Sequence, residues 1–159
     1  MRIDERLLAK IPELKPYSKV HFDGLSAKAK AFCDTNDIPA ELVHCLTSYD
    51  LASTLNEYFA LPDGFVELND LGDERFNPIR ERLFVVGSGT TGDPLAIDLH
   101  TGKIGFISHD EIYEHEKVRD VFCAISPSLG EFCKRGVVEQ NLPRDYYEAV
   151  EELRKGIGG

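Results

Sequence analysis

The chain has no tryptophan, no closely spaced pair of cysteines and no run approaching the ~20 apolar residues of a membrane span. It is also short of positive charge. Lys and Arg number 18 against 28 Asp and Glu, giving a formal net charge of −10 and a pI of about 4.9. Each of these absences excludes something. Without a long apolar run there is no expected membrane partner. Nucleic-acid binding usually shows as a basic patch, and the balance here is reversed, so no nucleic-acid partner is expected either. The opening "MRIDERLLAKIPELK" is charged throughout and lacks the apolar core of a secretion signal, which predicts a cytoplasmic protein. Cys33, Cys45, Cys123 and Cys133 show no C-x₂₋₄-C spacing, so a zinc or dithiol redox site is disfavoured. Reduced thiols acting as small buried hydrophobes are expected instead, with no metal and no cofactor.

What the chain does have is enough material for a core. Its 159 residues fit one domain spanning 1–159, and 42% are hydrophobic, including nine Phe and six Tyr. A chain of this length buries roughly 68–70% of its unfolded surface, so it needs no disulfide or metal staple. No internal repeat or low-complexity linker divides it.

The first half reads as helical. "DERLLAKI" places Leu7, Leu8 and Ile11 at helical spacing before Pro12, and Ser26 stands as the cap of "SAKAKAFCDTN". Asp37 to Ser48 carries a start signal, with Asp37 near the cap and Pro39 and Glu41 in the first turn. Leu42, Val43, Cys45 and Leu46 fall on one face of that helix. Residues 49–62 fit either a helix or a loop.

From residue 64 the period shifts toward two. "GFVELND" reads as a strand, and Leu83–Val86 as a strand buried on both faces. "PLAIDLH" alternates, with Leu95, Ile97 and Leu99 on one side and Ala96, Asp98 and His100 on the other. Thr101-Gly102 is a turn signal, "KIGFIS" follows as a strand and "VFCAI" as the last one. "SPSLGEFCKRG" reads as a short helix with Pro127 in its first turn and Ser128 and Glu131 in capping-box spacing. Residues 140–156 form an amphipathic helix with Tyr146, Val150 and Leu153 on one face, Lys155 in its last turn and Gly156 as its stop. The prediction is an α+β fold, an antiparallel multi-stranded sheet with helices packed at its N- and C-terminal ends.

One stretch invites an enzymatic reading. "LFVVGSGTTGDPLAIDLHTG", residues 83–102, contains G-x-G-x-x-G at Gly87, Gly89 and Gly92 directly after a strand. A dinucleotide site needs those glycines to open a helix whose amides hold the pyrophosphate. The strand-like "PLAIDLH" follows instead, and no G-K-[ST] completes a P-loop. The glycines, with Asp93 before Pro94, therefore read as a structural hairpin turn.

Two polar clusters are candidates for function. His109, Asp110, Glu111, His115 and Glu116 admit a solvated loop, a partner surface or a metal and acid–base site. The two histidines are six apart and share no helical face, which weakens the metal reading. His44 and Cys45, as sequence neighbours, point apart on a helix and make a poor catalytic dyad. Asp70, Asp73 and Glu74, with Asp63 and Glu67 nearby, form the main acidic run. It reads as a charged loop at the sheet edge or as a surface facing a basic partner. Arg75, Arg80 and Arg82 interrupt it.

The order of these segments resembles the SUKH superfamily, whose namesakes are the yeast cell-wall-assembly regulators. The resemblance rests on "IPAELVHCL" at 38–46, "FVVGSGTTGDPLAIDLHTGKIGFISHDE" at 84–111 and "VFCAISPSLGEFC" at 121–133. The family's Asn-Gly-Gly turn after the early helix is replaced by "SYDLASTLNEYF", and its frequent Trp is missing. The resemblance implies a single α+β domain that binds proteins rather than catalysing a reaction. In bacteria such domains commonly serve as immunity proteins that neutralise polymorphic or contact-dependent toxins, often nucleases; in eukaryotes they act as scaffolds. The partner it implies is thus a protein, often a nuclease toxin for an immunity protein; the charge reading makes Asp70, Asp73, Glu74, Asp110 and Glu111 the candidates to meet a basic one. The alternative is a regulatory or scaffolding module without a toxin partner.

Overall fold

In the computed structural model, which describes residues 1–70 and 76–156, helices gather on one side of a four-stranded antiparallel sheet. The strands are β1 (Leu83–Ser88), β2 (Pro94–Asp98), β3 (Ile104–Ile107) and β4 (Phe122–Ser126), paired in simple sequence order. The α-helices are α1 (Glu5–Lys10), α2 (Ala27–Thr35), α3 (Ala40–Ser48), α4 (Leu51–Thr54), α5 (Phe65–Asn69), α6 (Leu129–Lys134) and α7 (Tyr146–Arg154). The α+β architecture is the expected one.

Alternation along the strands divides the core in two. Phe84, Val86, Leu95, Ile97 and Phe106 point into a large cluster shared with Leu8, Leu42, Phe132 and Ala149. Leu83, Val85, Ala96 and Ile107 point the other way, into a smaller cluster closed by Ile112, Val118 and Val121. The sheet is therefore covered on both faces. That explains the continuous apolar run at Leu83–Val86, all 2% exposed or less. The polar stretch after β3 supplies the second cover through two 3₁₀ turns, Ile112–Glu114 and Val118–Val121.

Several local expectations are met with small shifts. The Ser26 hydroxyl accepts from the Ala29 N–H at 3.1 Å as the α2 cap. The Ser128 hydroxyl accepts from the Glu131 N–H at 3.1 Å and also donates to Asp4 Oδ2 at 2.6 Å, tying α6 to the chain's start. Pro127 stands before that cap rather than inside the helix. Asp37 is not a cap: its φ is +50°, and Pro39 occupies the cap position of α3. Arg82 explains the arrangement, donating to the Asn36 and Asp37 carbonyls at 2.5 and 3.1 Å and holding that turn open. In α7, Ala149 is buried and Tyr146 and Val150 pack on the core, but Leu153 is 44% exposed and belongs to the outer face.

The largest difference lies at residues 64–70, where the expected strand is a helix. Pro62–Gly64 forms a 3₁₀ turn that runs into α5. The buried residues Phe65, Val66 and Asn69 stand at i, i+1 and i+4, a helical face, while Glu67 is exposed. Asn69 is 3% exposed, and its amide does the work of a backbone. Its Oδ1 accepts from the Val85 N–H at 2.9 Å, and its Nδ2 donates to the carbonyls of Val85 and Phe65, both at 2.8 Å. Just beyond, Ala60 N donates to Val86 O and Ser88 N to Tyr58 O, each at 3.0 Å. The outer edge of β1 is thus occupied by 58–60 and by one side chain. Among the described residues, no helix is long and apolar enough to cross a membrane.

Candidate functional site

The glycine motif lies where sequence reasoning placed it, in the β1–β2 hairpin. A bulge between Val85 and Gly87 shifts the register so that Gly87 faces Leu95 and Ser88 faces Pro94. Side chains are excluded there by close approach. A Cβ on Gly87 would sit 1.6 Å from the Tyr58 carbonyl oxygen, and one on Gly89 2.3 Å from that of Arg144. Gly92 has φ +93°, the left-handed conformation that a tight turn needs. The turn amides are consumed within the fold. Gly89 N donates to Asp93 O at 2.7 Å, Gly92 N to Gly89 O at 3.2 Å and Thr90 N to Arg144 O at 3.0 Å. A strand follows and these three amides are bonded to carbonyls, so they do not cradle a phosphate.

Asp93 organises the end of the sheet. Its carboxylate is 1% exposed. Oδ1 accepts from the His109 backbone N–H at 3.1 Å and stands 2.6 Å from His109 Nδ1, while Oδ2 accepts from the Tyr146 N–H at 2.9 Å. One buried side chain thereby joins the hairpin, the segment after β3 and the first turn of α7. Asp145 caps that helix by accepting from the Glu148 N–H at 2.9 Å, and Thr91 Oγ1 donates to Asp145 Oδ2 at 3.3 Å. Sequence reasoning identified Asp93 as a turn residue and missed these longer links.

The rim around this knot carries exposed groups. Asp110 follows His109 and is 61% exposed, with its Oδ1 3.1 Å from His109 Nε2. Glu111 is half-buried and lies near Tyr146, whose hydroxyl is pushed up first by burial and then by the negative charge of Glu111. Tyr146 meets Tyr147 edge to face at 5.6 Å, and Tyr147 is 49% exposed. Asp93 thus holds His109 and Tyr146, the residues that precede the exposed Asp110 and Tyr147, and Glu111 lies near Tyr146.

The rest of the polar cluster spreads out. His115 is exposed just beyond the Ile112–Glu114 turn. Among the described residues, no group of three His, Cys, Asp or Glu is placed to hold a metal. As an acid–base pair, Asp93 and His109 have a suitable buried carboxylate–imidazole contact. The second ring nitrogen, however, faces the Asp110 carboxylate rather than a nucleophile. On α3, His44 Nε2 stands 3.6 Å from Glu5 Oε1 while Cys45 is buried, so the two point apart. His100 is an exposed turn residue whose N–H donates to Asp98 Oδ1 at 3.0 Å.

The acidic run divides among elements. Asp63 Oδ1 accepts from the Ser26 N–H at 3.0 Å, and Glu67 pairs with Lys28 at 3.5 Å, so both serve the contact with α2. Asp70 is exposed at the end of α5, on a different element from Asp110 and Glu111. Asp73, Glu74 and Arg75 lie outside the described residues.

A second buried carboxylate is Asp98, on the side of β2 that the alternation shares with Ala96. It forms a two-pronged pair with Arg119, both contacts at 2.9 Å, beneath the cover of the smaller cluster. Burial drives its carboxyl upward, but the bonds from Arg119, the His100 N–H and Thr101 outweigh that and hold it below the usual carboxylate range. All four cysteines are free thiols, and three are buried; Cys33 is half-buried. Burial pushes Cys45 up to about 12 and Cys133 higher still, which leaves them as unreactive thiols in the core.

Compared with known proteins, the chain finds no matching family model, no matching curated protein and no matching solved structure.

Proposed function

We propose that this chain is a binding protein of the SUKH type, an immunity protein that neutralises a basic nuclease toxin by occupying its nucleic-acid cleft. The observation that carries the reading is the rim built on Asp93, which holds His109 and Tyr146, the neighbours in sequence of the exposed Asp110 and Tyr147, with Glu111 near Tyr146. Carboxylates there would take the place of substrate phosphates, and the formal charge of −10 would speed encounter with a basic cleft. Tyrosine supplies apolar contact with a polar tip, a combination enriched at protein interfaces. The three segments that resemble the family contribute α3, the sheet and α6 to one structure, which also supports the reading. Inhibition would be stoichiometric, through an interface of roughly 1,600 Å² in total.

The test is to read the genes flanking this one for a nuclease toxin domain, whose absence would favour the scaffolding alternative, and to co-express any such domain with the chain, followed by association kinetics. A one-to-one complex, rescue of growth, and an association rate about tenfold slower at low salt in the Asp110→Lys/Glu111→Lys variant are expected. No complex and no rescue would remove the immunity reading. A complex whose association rate ignores both reversals would remove the acidic rim from it.

A further inference from the structure

Away from the rim, residues 16–25 and the last turn of α3 enclose an open groove of about 570 Å³. Small-molecule sites span roughly 300–1,000 Å³. Tyr17 and Leu25 form its apolar wall, backed by Phe22, whose ring meets that of Tyr17 edge to face at 5.0 Å. Tyr17 is uncharged at neutral pH like any ordinary phenol, and burial pushes its hydroxyl further up, to about 12.

The rim has the opposite character from the rest of the chain. Lys19 and Lys30 border the groove against a single acid, Asp23. Two lysines elsewhere are held by carboxylates, Lys28 by Glu67 at 3.5 Å and Lys155 by Glu151 at 3.9 Å. Among the described residues neither Lys19 nor Lys30 takes part in an ion pair. In a chain of net charge −10, a groove lined by two lysines and one acid has a local balance of the opposite sign.

The groove is also built in advance. Asp50 N donates to Lys15 O at 2.8 Å, and Pro16 bridges to Tyr49. His21 N and Phe22 N both donate to Ser18 O at 2.9 Å, and Ser26 N donates to Asp63 Oδ1 at 3.0 Å. A ligand would therefore meet walls already fixed by backbone hydrogen bonds, with little ordering cost beyond the two lysine side chains.

We propose that this groove binds a small organic anion carrying a flat ring, with the ring against Tyr17 and Leu25 and its carboxylate or phosphate on Lys19 and Lys30. The proposal is independent of the toxin reading, because it uses a different surface.

An NMR titration of the full chain tests it with four probes, AMP and 1-naphthoate as anions and adenosine and 1-naphthalenemethanol as their neutral counterparts. Inorganic phosphate serves as the ring-free control. At least one anion should shift the amides of residues 17–25, 47 and 48, and bind at least about tenfold more tightly than its neutral counterpart, about 1.4 kcal/mol. Which of the two anions binds names the head group. The Lys19→Gln/Lys30→Gln variant should lose about tenfold in affinity with its thermal melt unchanged, since both lysines are exposed. The proposal is overturned if both anions bind no better than the neutral compounds or phosphate. It is equally overturned if the shifts fall outside the groove, or if the double variant binds as the parent does.

Discussion

Two buried carboxylates bracket β2, and they are held by different physics. Asp93, just before the strand, is 1% exposed and is met by two backbone N–H groups and an imidazole. Asp98, the last residue of the strand, is 7% exposed and is met by a guanidinium, one N–H and the Thr101 side chain. The first relies on hydrogen bonds from segments 16 and 53 residues away. The second relies largely on one opposite charge 21 residues away. A buried carboxylate can thus act as a joint between elements or as half of an ion pair. Only the joint gathers the rim on which the proposed function rests.

Substitutions that separate the two modes should differ in size. Asp93→Ala has the largest expected effect. It strips the acceptor from three donors, each costing roughly 1–3 kcal/mol when left unsatisfied, so about 3 kcal/mol in all after local relaxation. Denaturant unfolding reads the loss, and hydrogen exchange at the His109 and Tyr146 amides should quicken together. A loss below about 1 kcal/mol would show that Asp93 is not the joint described.

Arg119→Met comes next, at about 2 kcal/mol by denaturant unfolding at pH 7, because it leaves Asp98 buried without its cation. The guanidinium is partly exposed, which keeps the cost below that of a deeply buried pair. Acid titration sharpens this contrast. Since Asp98 is held below its unfolded value of about 3.9, its contribution is complete above that value and is lost as pH falls through the folded one. Stability measured from pH 6 down to pH 2 should therefore fall less steeply in Arg119→Met than in the parent. Equal slopes would remove the ion pair from the account of acid sensitivity. The smallest effect belongs to His109→Gln, under about 1 kcal/mol in the same unfolding experiment, because the backbone N–H groups still hold Asp93.

The sheet was legible in the sequence because its signals are local. Alternation in "PLAIDLH", the glycines of the hairpin and the Thr101-Gly102 turn each act within a few residues. Helix α5 was not legible, since "GFVELND" satisfies both a period of two and the spacing of Phe65, Val66 and Asn69. Burial of Asn69 against Val85 decides between them, and that contact is 16 residues distant. The Asp37 cap failed for a similar reason, because Arg82 fixes the turn from 45 residues away. The rim was half legible. Asp110 and Glu111 stand out as a polar cluster, but nothing local announces that Asp93 would tie their segment to the start of α7. The groove at Tyr17 went unseen, because its wall and its lysines carry no spaced motif.

The treatment of β1's outer edge has a consequence beyond packing. An exposed strand edge is a template on which a second chain can add itself, and a run such as Leu83–Val86 would make a strong one. Here the 58–60 backbone takes up the Val86 carbonyl and the Ser88 amide, and the Asn69 amide imitates a neighbouring strand opposite Val85. One stretch of backbone and one side chain thus guard together against self-association. Replacing Asn69 by Leu would free one N–H and one C=O beside the most apolar stretch of the protein, opening a route to fibrous assembly that the native chain keeps closed.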